Sequence, residues 1–149
     1  MDVSLTKATS DDIPFLLTLR QLTMNQYLEE AGMPTTEEGH LSRIQYKLDC
    51  ANIINANGVP VGLFKAEFQK EHDQWFIIQI QVHPDYQNQG IGNTVIERLL
   101  STASESASRV RLSVIKTNPA RDLYTRMGFE SVEESDCEFT MEYNMVNSR

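Results

Sequence analysis

Cysteine is scarce in this sequence. Cys50 and Cys137 are the only two in 149 residues, and no CxxC pair or Cys/His cluster accompanies them. That excludes a small disulfide-framed fold and predicts no metal site. Long apolar runs are missing as well: no stretch approaches the ~20 residues that a helix needs to cross a bilayer. Positive charge is short, with 13 Lys and Arg against 21 Asp and Glu and a net charge of −8. A chain so acidic lacks the electrostatic footprint of a non-specific nucleic-acid binder. The opening residues, "MDVSLTKATSDD", carry no apolar signal region. Free thiols in such a chain predict a cytoplasmic protein with no membrane and no nucleic-acid partner.

What is present is enough for one packed domain. The 149 residues are 40% hydrophobic, and a chain of that size buries roughly two-thirds of its unfolded surface. No linker, repeat or low-complexity segment divides it, so residues 1–149 read as a single domain with a core over about 3–146. The acidic balance serves solubility, or a cationic substrate such as an amine; composition leaves both open.

Periodicity sets out the elements. "VSLTKA" (3–8) alternates like a strand. A helix is predicted over 11–30, capped by Thr9 or Ser10, with Pro14 near its start and Ile13, Leu16, Leu17, Leu19, Leu22 and Leu28 on its apolar face. Gly32 and Pro34 end it, and a second helix is expected over 36–47. Strands follow at 50–56, 59–69 and 75–82, the first two joined by the hairpin signal "NG" at 57–58, the next two by "KEHD". Val95, Ile96, Leu99, Leu100 and Ala103 recur at helical spacing, and "RVRLSVI" (109–115) is a strand. "NPARDLYTRMGF" reads as a short helix with Asn118 as cap, Pro119 at its first position and Gly128 past its end. "EFTMEYNMV" (138–146) is a last strand. The class is mixed α/β with a largely antiparallel sheet.

The segment with chemical content is "HPDYQNQGIGNT" at 83–94, between the strand "WFIIQIQV" and a helix. A turn of this kind aims unpaired N–H groups outward at the positive end of a helix dipole, which suits a phosphate. Glycine adds close approach and positive φ. The spacing is neither the dinucleotide fingerprint nor GxxxxGK[ST]. What remains is Gln87-x-x-Gly90-x-Gly92, which also fits a turn shaped only for tight strand-to-helix packing.

Together with "NPARDLYTRMGF" downstream, this segment resembles the GNAT superfamily of acyl-CoA-dependent N-acetyltransferases. "VHPDYQNQGIG" is similar to that family's pyrophosphate-binding motif. Asn118, Ala120, Leu123, Tyr124, Gly128 and Phe129 are similar to its Asn–Ala–Leu–Tyr–Gly–Phe segment. The order of elements over nearly the whole chain matches as well. The resemblance implies a central, mostly antiparallel sheet of six to seven strands flanked by about four helices. It implies acetyl-CoA as co-substrate and no metal. It further implies that backbone groups of Ile80 and Val82 pair with the pantetheine arm, that Gln87, Asn88, Gln89, Gly90, Ile91, Gly92 and Asn93 hold the pyrophosphate, and that Asn118 bonds the CoA arm. The acceptor would be a small-molecule or peptide amine, and the protein a monomer or homodimer.

Acyl transfer requires a neutral amine, a polarised carbonyl and a protonated leaving thiolate. A backbone N–H near Val82 suits the oxyanion, and by resemblance Tyr124 is the general acid. Its spacing with Ala120, Leu123 and Met127 equally fits a core tyrosine. The family often carries a base on the strand before the Gly turn; here that strand offers only Gln79 and Gln81. Glu67 on the neighbouring strand is the candidate, working through water, though it also fits an exposed strand residue; His83 fits a turn role. For the acceptor, Tyr27 and Glu29, with Glu30, Glu37 and Glu38 nearby, suit a cation or simply form an acidic helix surface. The missing strand carboxylate also motivates a non-catalytic acyl-CoA-binding or sensor domain on the same fold.

Overall fold

A computed structural model describes residues 1–106 and 108–143. Strand β1 (Val3–Lys7) leads through a 3-10 turn (Ser10–Asp12) into helix α1 (Ile13–Glu30). Thr9 and Asp12 form a capping box at that turn, and Pro14 sits in the first turn of α1, where its missing N–H costs nothing. Helix α2 (Glu37–Gln45) is capped by Thr36. It is shorter than the expected 36–47, because Tyr46 leaves helical geometry and Lys47 turns left-handed at φ 50°. Then come β2 (Ala51–Ala56), β3 (Val59–Gln69), β4 (Gln74–Val82), α3 (Ile91–Glu105), β5 (Arg109–Ile115), α4 (Ala120–Met127), β6 (Phe129–Glu134) and β7 (Glu138–Tyr143).

Asn57 and Gly58 both take positive φ (51° and 81°), as a tight primed hairpin turn demands. Strand β6 has no counterpart among the periodic segments of the sequence. Only Phe129 of its six residues is buried, so it shows no alternation. The expected strand 138–146 is present as far as Tyr143; 144–146 lie outside the described residues. Leu22, expected on the apolar face of α1, is 53% exposed, while Arg20 is buried beside Leu16 and Leu19.

The seven strands form one sheet in the order β1-β2-β3-β4-β5-β7-β6. Every neighbouring pair is antiparallel except β4 and β5, which run parallel. One core cluster gathers Val95, Ile96 and Leu99 of α3 with Phe64, Ile77, Leu112, Tyr124 and Phe129. A second gathers Leu16, Leu19 and Ile44 from α1 and α2 with Ala51, Ile53 and Leu63.

Two irregularities open the sheet. The β3–β4 register slips where Lys65 pairs with Gln79 but Ala66 pairs with Ile77, leaving Ile78 as the extra residue of a bulge. The parallel β4–β5 ladder stops at the same level, at Ile77 and Leu112. Beyond it β4 runs on to Val82 and β5 to Ile115 unpaired with each other, so the two strands splay.

Candidate active site

The splay is flanked by two cavities. One, of about 490 Å³, runs along the Gly turn and is lined by Ile80, Val82, Gln87, Gly92, Asn118 and Tyr124, among others. The second, of about 420 Å³, lies under α1 and α2 and includes Arg20, His40, Arg43, Gln79, Ser113 and Glu138. Met24, Ile80, Gln81, Asn118 and Tyr124 line both, so they mark the junction.

On the first side, local sequence explains the shape. His83 Nδ1 accepts from the Asp85 N–H (3.1 Å) and caps a single 3-10 turn, the turn role expected for it. Gln87 Nε2 donates to the Val82 carbonyl (2.9 Å), which ties the turn to the end of β4. Asn88 and Gly90 take positive φ (63° and 80°) and reverse the chain into α3. Helix α3 starts with no side-chain cap and no acid in its first turn. Its first N–H groups therefore lack intrahelical partners and stand at the positive end of the dipole, on the wall of the cavity.

Gly92 lines this cavity at the second position of α3. A Cβ there would meet only Ile80 Cδ1 and Val82 Cγ2, both at 3.9 Å, an ordinary contact. The protein's own packing does not require glycine at 92. The space its missing side chain leaves open faces the cavity and suits a phosphate approaching the backbone closely.

The open edge of β4 has the right phase for an extended amide ligand. His83 N–H bonds the Val61 carbonyl (2.7 Å). In an antiparallel ladder bonding alternates along the strand, so the backbone groups of Ile80 and Val82 point away from β3, toward the splay. The Val82 carbonyl is taken by Gln87, leaving its N–H and both groups of Ile80 available. Helix α4 begins at Ala120 with Pro119 at the N-cap position, one residue later than expected; Asn118 Oδ1 accepts from the Ala120 N–H (2.9 Å) while lining the junction.

Tyr124 is 7% exposed, with its ring edge-on to Phe129 at 6.1 Å. Burial alone pushes its hydroxyl up to about 12, so it keeps its proton through neutral pH. It is at once a core tyrosine and a cavity-lining one.

Of the residues named from sequence for base and acceptor, Tyr27 alone lines either cavity. Glu67 lines neither cavity: Lys47, and then the Gln69 amide, bond its carboxylate and hold it below the usual carboxylate range. Glu29 is exposed and lines neither cavity; Tyr27 lines the Gly-turn side, and Glu37 and Glu38 border a shallow surface depression.

The cavity under α1 and α2 brings forward residues that sequence patterning passed over. His40 is buried, and its Nε2 lies 2.6 Å from Asn25 Oδ1. That oxygen only accepts, so Nε2 carries the proton and Nδ1 keeps a lone pair. Burial, then the charge of Arg20, pulls the His40 pKa below the ordinary histidine value and keeps the ring neutral. Arg20 itself is drawn down to about 10 by burial and by Arg43, and remains charged. Behind the cavity, Lys65 is fully buried and donates to the carbonyls of Arg43 (3.0 Å), Ile44 (3.0 Å) and Tyr46 (2.5 Å). Gln79 Nε2 also donates to the Arg43 carbonyl (3.2 Å). These bonds satisfy the C-terminal carbonyls of α2 and hold the helix against the sheet. Arg20 carries the one sequence signal that was available: a cation at a position in phase with Leu16 and Leu19 on an apolar face.

Among the described residues no group of three or more His, Cys, Asp or Glu side chains is placed to hold a metal. Among the same residues no helix is long and apolar enough to cross a membrane.

The splay of β4 from β5 beside the uncapped start of α3 leaves a cleft fit for an extended, phosphate-bearing ligand. The chain belongs to the acetyltransferase (GNAT) family, whose model matches residues 16–129. Among characterised proteins it is similar to the thialysine N-epsilon-acetyltransferase of Bos taurus, at 29% identity over 96 residues. That match covers 58% of this chain and 56% of the relative, so the chain matches about half the relative's length. Among solved structures it resembles the PaiA N-acetyltransferase of Thermoplasma acidophilum in complex with coenzyme A, with a TM-score of 0.74 at 17% identity, covering 97% of this chain and 99% of that one. It also resembles the ribosomal-protein-S18-alanine N-acetyltransferase of Escherichia coli, with a TM-score of 0.70 at 20% identity, covering 97% and 94%. At such identities these structures speak for the fold.

Proposed function

We propose that this protein transfers an acetyl group from acetyl-CoA to a primary amine by direct attack, with Tyr124 as general acid. One observation carries the reading: Tyr124 stands where the Gly-turn cavity and the cavity under α1 and α2 meet, at the open splay of β4 and β5. The co-substrate supplies a thioester carbonyl as electrophile and a thiol as leaving group. The amine nitrogen bonds to the carbonyl carbon, the carbon–sulfur bond breaks, and the nitrogen loses one proton while the sulfur gains one.

The chain's own groups divide that work. The first N–H groups of α3, together with Gln87, Asn88, Gln89, Gly90, Ile91, Gly92 and Asn93, receive the pyrophosphate. Ile80 and Val82 receive the pantetheine amides by strand-like pairing. The Val82 N–H faces the splay and stabilises the oxyanion. Tyr124 gives its proton to the departing sulfur, whose conjugate thiol has an ordinary pKa of roughly 8.5. His40, held neutral in the acceptor cavity, accepts the amine proton through its Nδ1, directly or through water. That role replaces Glu67, whose carboxylate is engaged by Lys47.

The experiment is CoA release from acetyl-CoA across a broad panel of amines. Turnover of any class supports the transferase. Tight acetyl-CoA binding with no turnover across the panel would favour a non-catalytic acyl-CoA sensor, and absence of both would end the reading.

A further inference from the structure

The acceptor cavity holds a polar set that the protein leaves unfinished. Among the described residues, the buried side-chain nitrogen and oxygen atoms with no hydrogen-bond partner are Arg20 Nε, Gln79 Oε1 and Gln81 Oε1. All three residues line this cavity. Each is at least nine-tenths buried, with exposures of 7%, 6% and 6%. A buried guanidinium is costly unless an anion or a set of acceptors meets it. Arg20 takes part in no ion pair among the described residues, and neither does Arg43, which also lines the cavity and whose guanidinium lies over the Tyr46 ring at 5.4 Å. Among the described residues, Glu138 on β7 is the one carboxylate lining the cavity. The acidic surface that sets the net charge of −8 therefore does not extend into this cavity, where two cations face one acid.

We infer that the acceptor amine carries a carboxylate, bound by Arg20 and Arg43, while its nitrogen is met by the free oxygens of Gln79 and Gln81. The inference rests on the transferase reading and names the substrate class of the same site. The two halves of the recognition are chemically distinct. Guanidinium groups have only donors and match a planar carboxylate bidentately. Gln79 is fixed by its Nε2 bond to the Arg43 carbonyl, so its Oε1 is a bare acceptor waiting for an N–H. Gln81 lines both cavities, which puts the amine-binding end at the junction with Tyr124, whereas Arg20 and Arg43 line the acceptor cavity alone. The cavity's about 420 Å³ suits a small amino acid. Even from the carboxylate end, the two cations disfavour a charged amine in the same cavity, so the reactive neutral form is easier to reach. An acid-lined pocket of the kind expected from Glu29 and its neighbours would have had the opposite effect.

The test uses matched acceptors with the wild-type protein: small amino acids, their carboxamides, the decarboxylated amines and aminophosphonates of the same length. CoA release is followed under saturating acetyl-CoA. The carboxylates should exceed the carboxamides and simple amines in kcat/KM by about 10- to 100-fold, the range for charge-assisted hydrogen bonds. In Arg20→Gln and Arg43→Gln that ratio should collapse by a similar factor, and Arg20→Lys should keep part of it. Arg43 is exposed, so its variant keeps the test available if Arg20→Gln does not fold. Equal or better use of the carboxamides or simple amines would overturn the inference and leave the transferase standing. Preference for the aminophosphonates would overturn the carboxylate assignment. Acetyl-CoA binding without turnover of any acceptor would overturn the transferase reading and this inference with it.

Discussion

Replacing Gly92 with alanine should move stability and cofactor affinity in opposite directions. Gly92 is the second residue of α3, and its φ lies outside the left-handed region that Gly90 and Gly128 occupy. The added Cβ would sit 3.9 Å from Ile80 Cδ1 and Val82 Cγ2 without displacing either. Alanine there costs nothing in packing and removes freedom from the unfolded chain, a gain of about 0.4–1 kcal/mol. That corresponds to a rise of ~1–4 °C in Tm for a chain of this size. The same methyl group enters the space through which a phosphate would reach the N–H groups of α3. Losing one charge-assisted hydrogen bond of about 1.5–3 kcal/mol raises the Kd for acetyl-CoA roughly 10- to 150-fold. Thermal unfolding and titration calorimetry on one preparation read both numbers. Gly90→Ala is the contrast: φ is 80° there, so it should lower stability by about 1 kcal/mol or more. If Gly92→Ala bound acetyl-CoA as wild type does, the cradle would be wrong and the turn would serve only to join β4 to α3.

Three further outcomes follow from the geometry. Tyr124→Phe keeps the ring against Phe129 and should lower kcat by ~10²–10⁴-fold with little change in acetyl-CoA affinity; turnover equal to wild type would return Tyr124 to a purely packing role. His40→Gln should cost ~10²-fold or more in kcat/KM. Because burial and Arg20 disfavour the imidazolium, the wild-type acid limb should lie below the ordinary histidine value of about 6.5 and vanish in the variant; an unchanged pH profile would exclude His40 as the base. Lys65→Met strands the carbonyls of Arg43, Ile44 and Tyr46 and should destabilise the fold by about 2–5 kcal/mol in urea unfolding; a loss under about 1 kcal/mol would mean that α2 is held by its apolar contacts alone.

Local signals carried much of this molecule, because they act over one or two turns of chain. The alternation in 3–8, the "NG" hairpin, the cap at Thr9 and the glycines between β4 and α3 each specify their own geometry with few distant partners. The Gly turn and Tyr124 were legible for the same reason, through short segments that resemble a family. Strand β6 was not: it buries only Phe129, and its place beside β7 is a matter of pairing, not pattern. The cavity under α1 and α2 depended wholly on tertiary structure. A helical period tells which face of α1 is apolar, but not that Arg20 on that face turns toward a cavity. Nor does it show that His40 and Arg43 of α2 converge there, or that Lys65 from β3 satisfies the end of α2. The splay of β4 from β5 arises where the parallel ladder ends at Ile77 and Leu112, alongside the Ile78 bulge. Register between strands distant in sequence is decided by what packs on both faces of the sheet. Acidic residues crowd the same stretch of sequence as these cations and dominate its composition. Only the packed helices separate them, setting Glu29, Glu37 and Glu38 toward solvent and Arg20 and His40 inward, because buried volume and hydrogen-bond partners exist on one side alone.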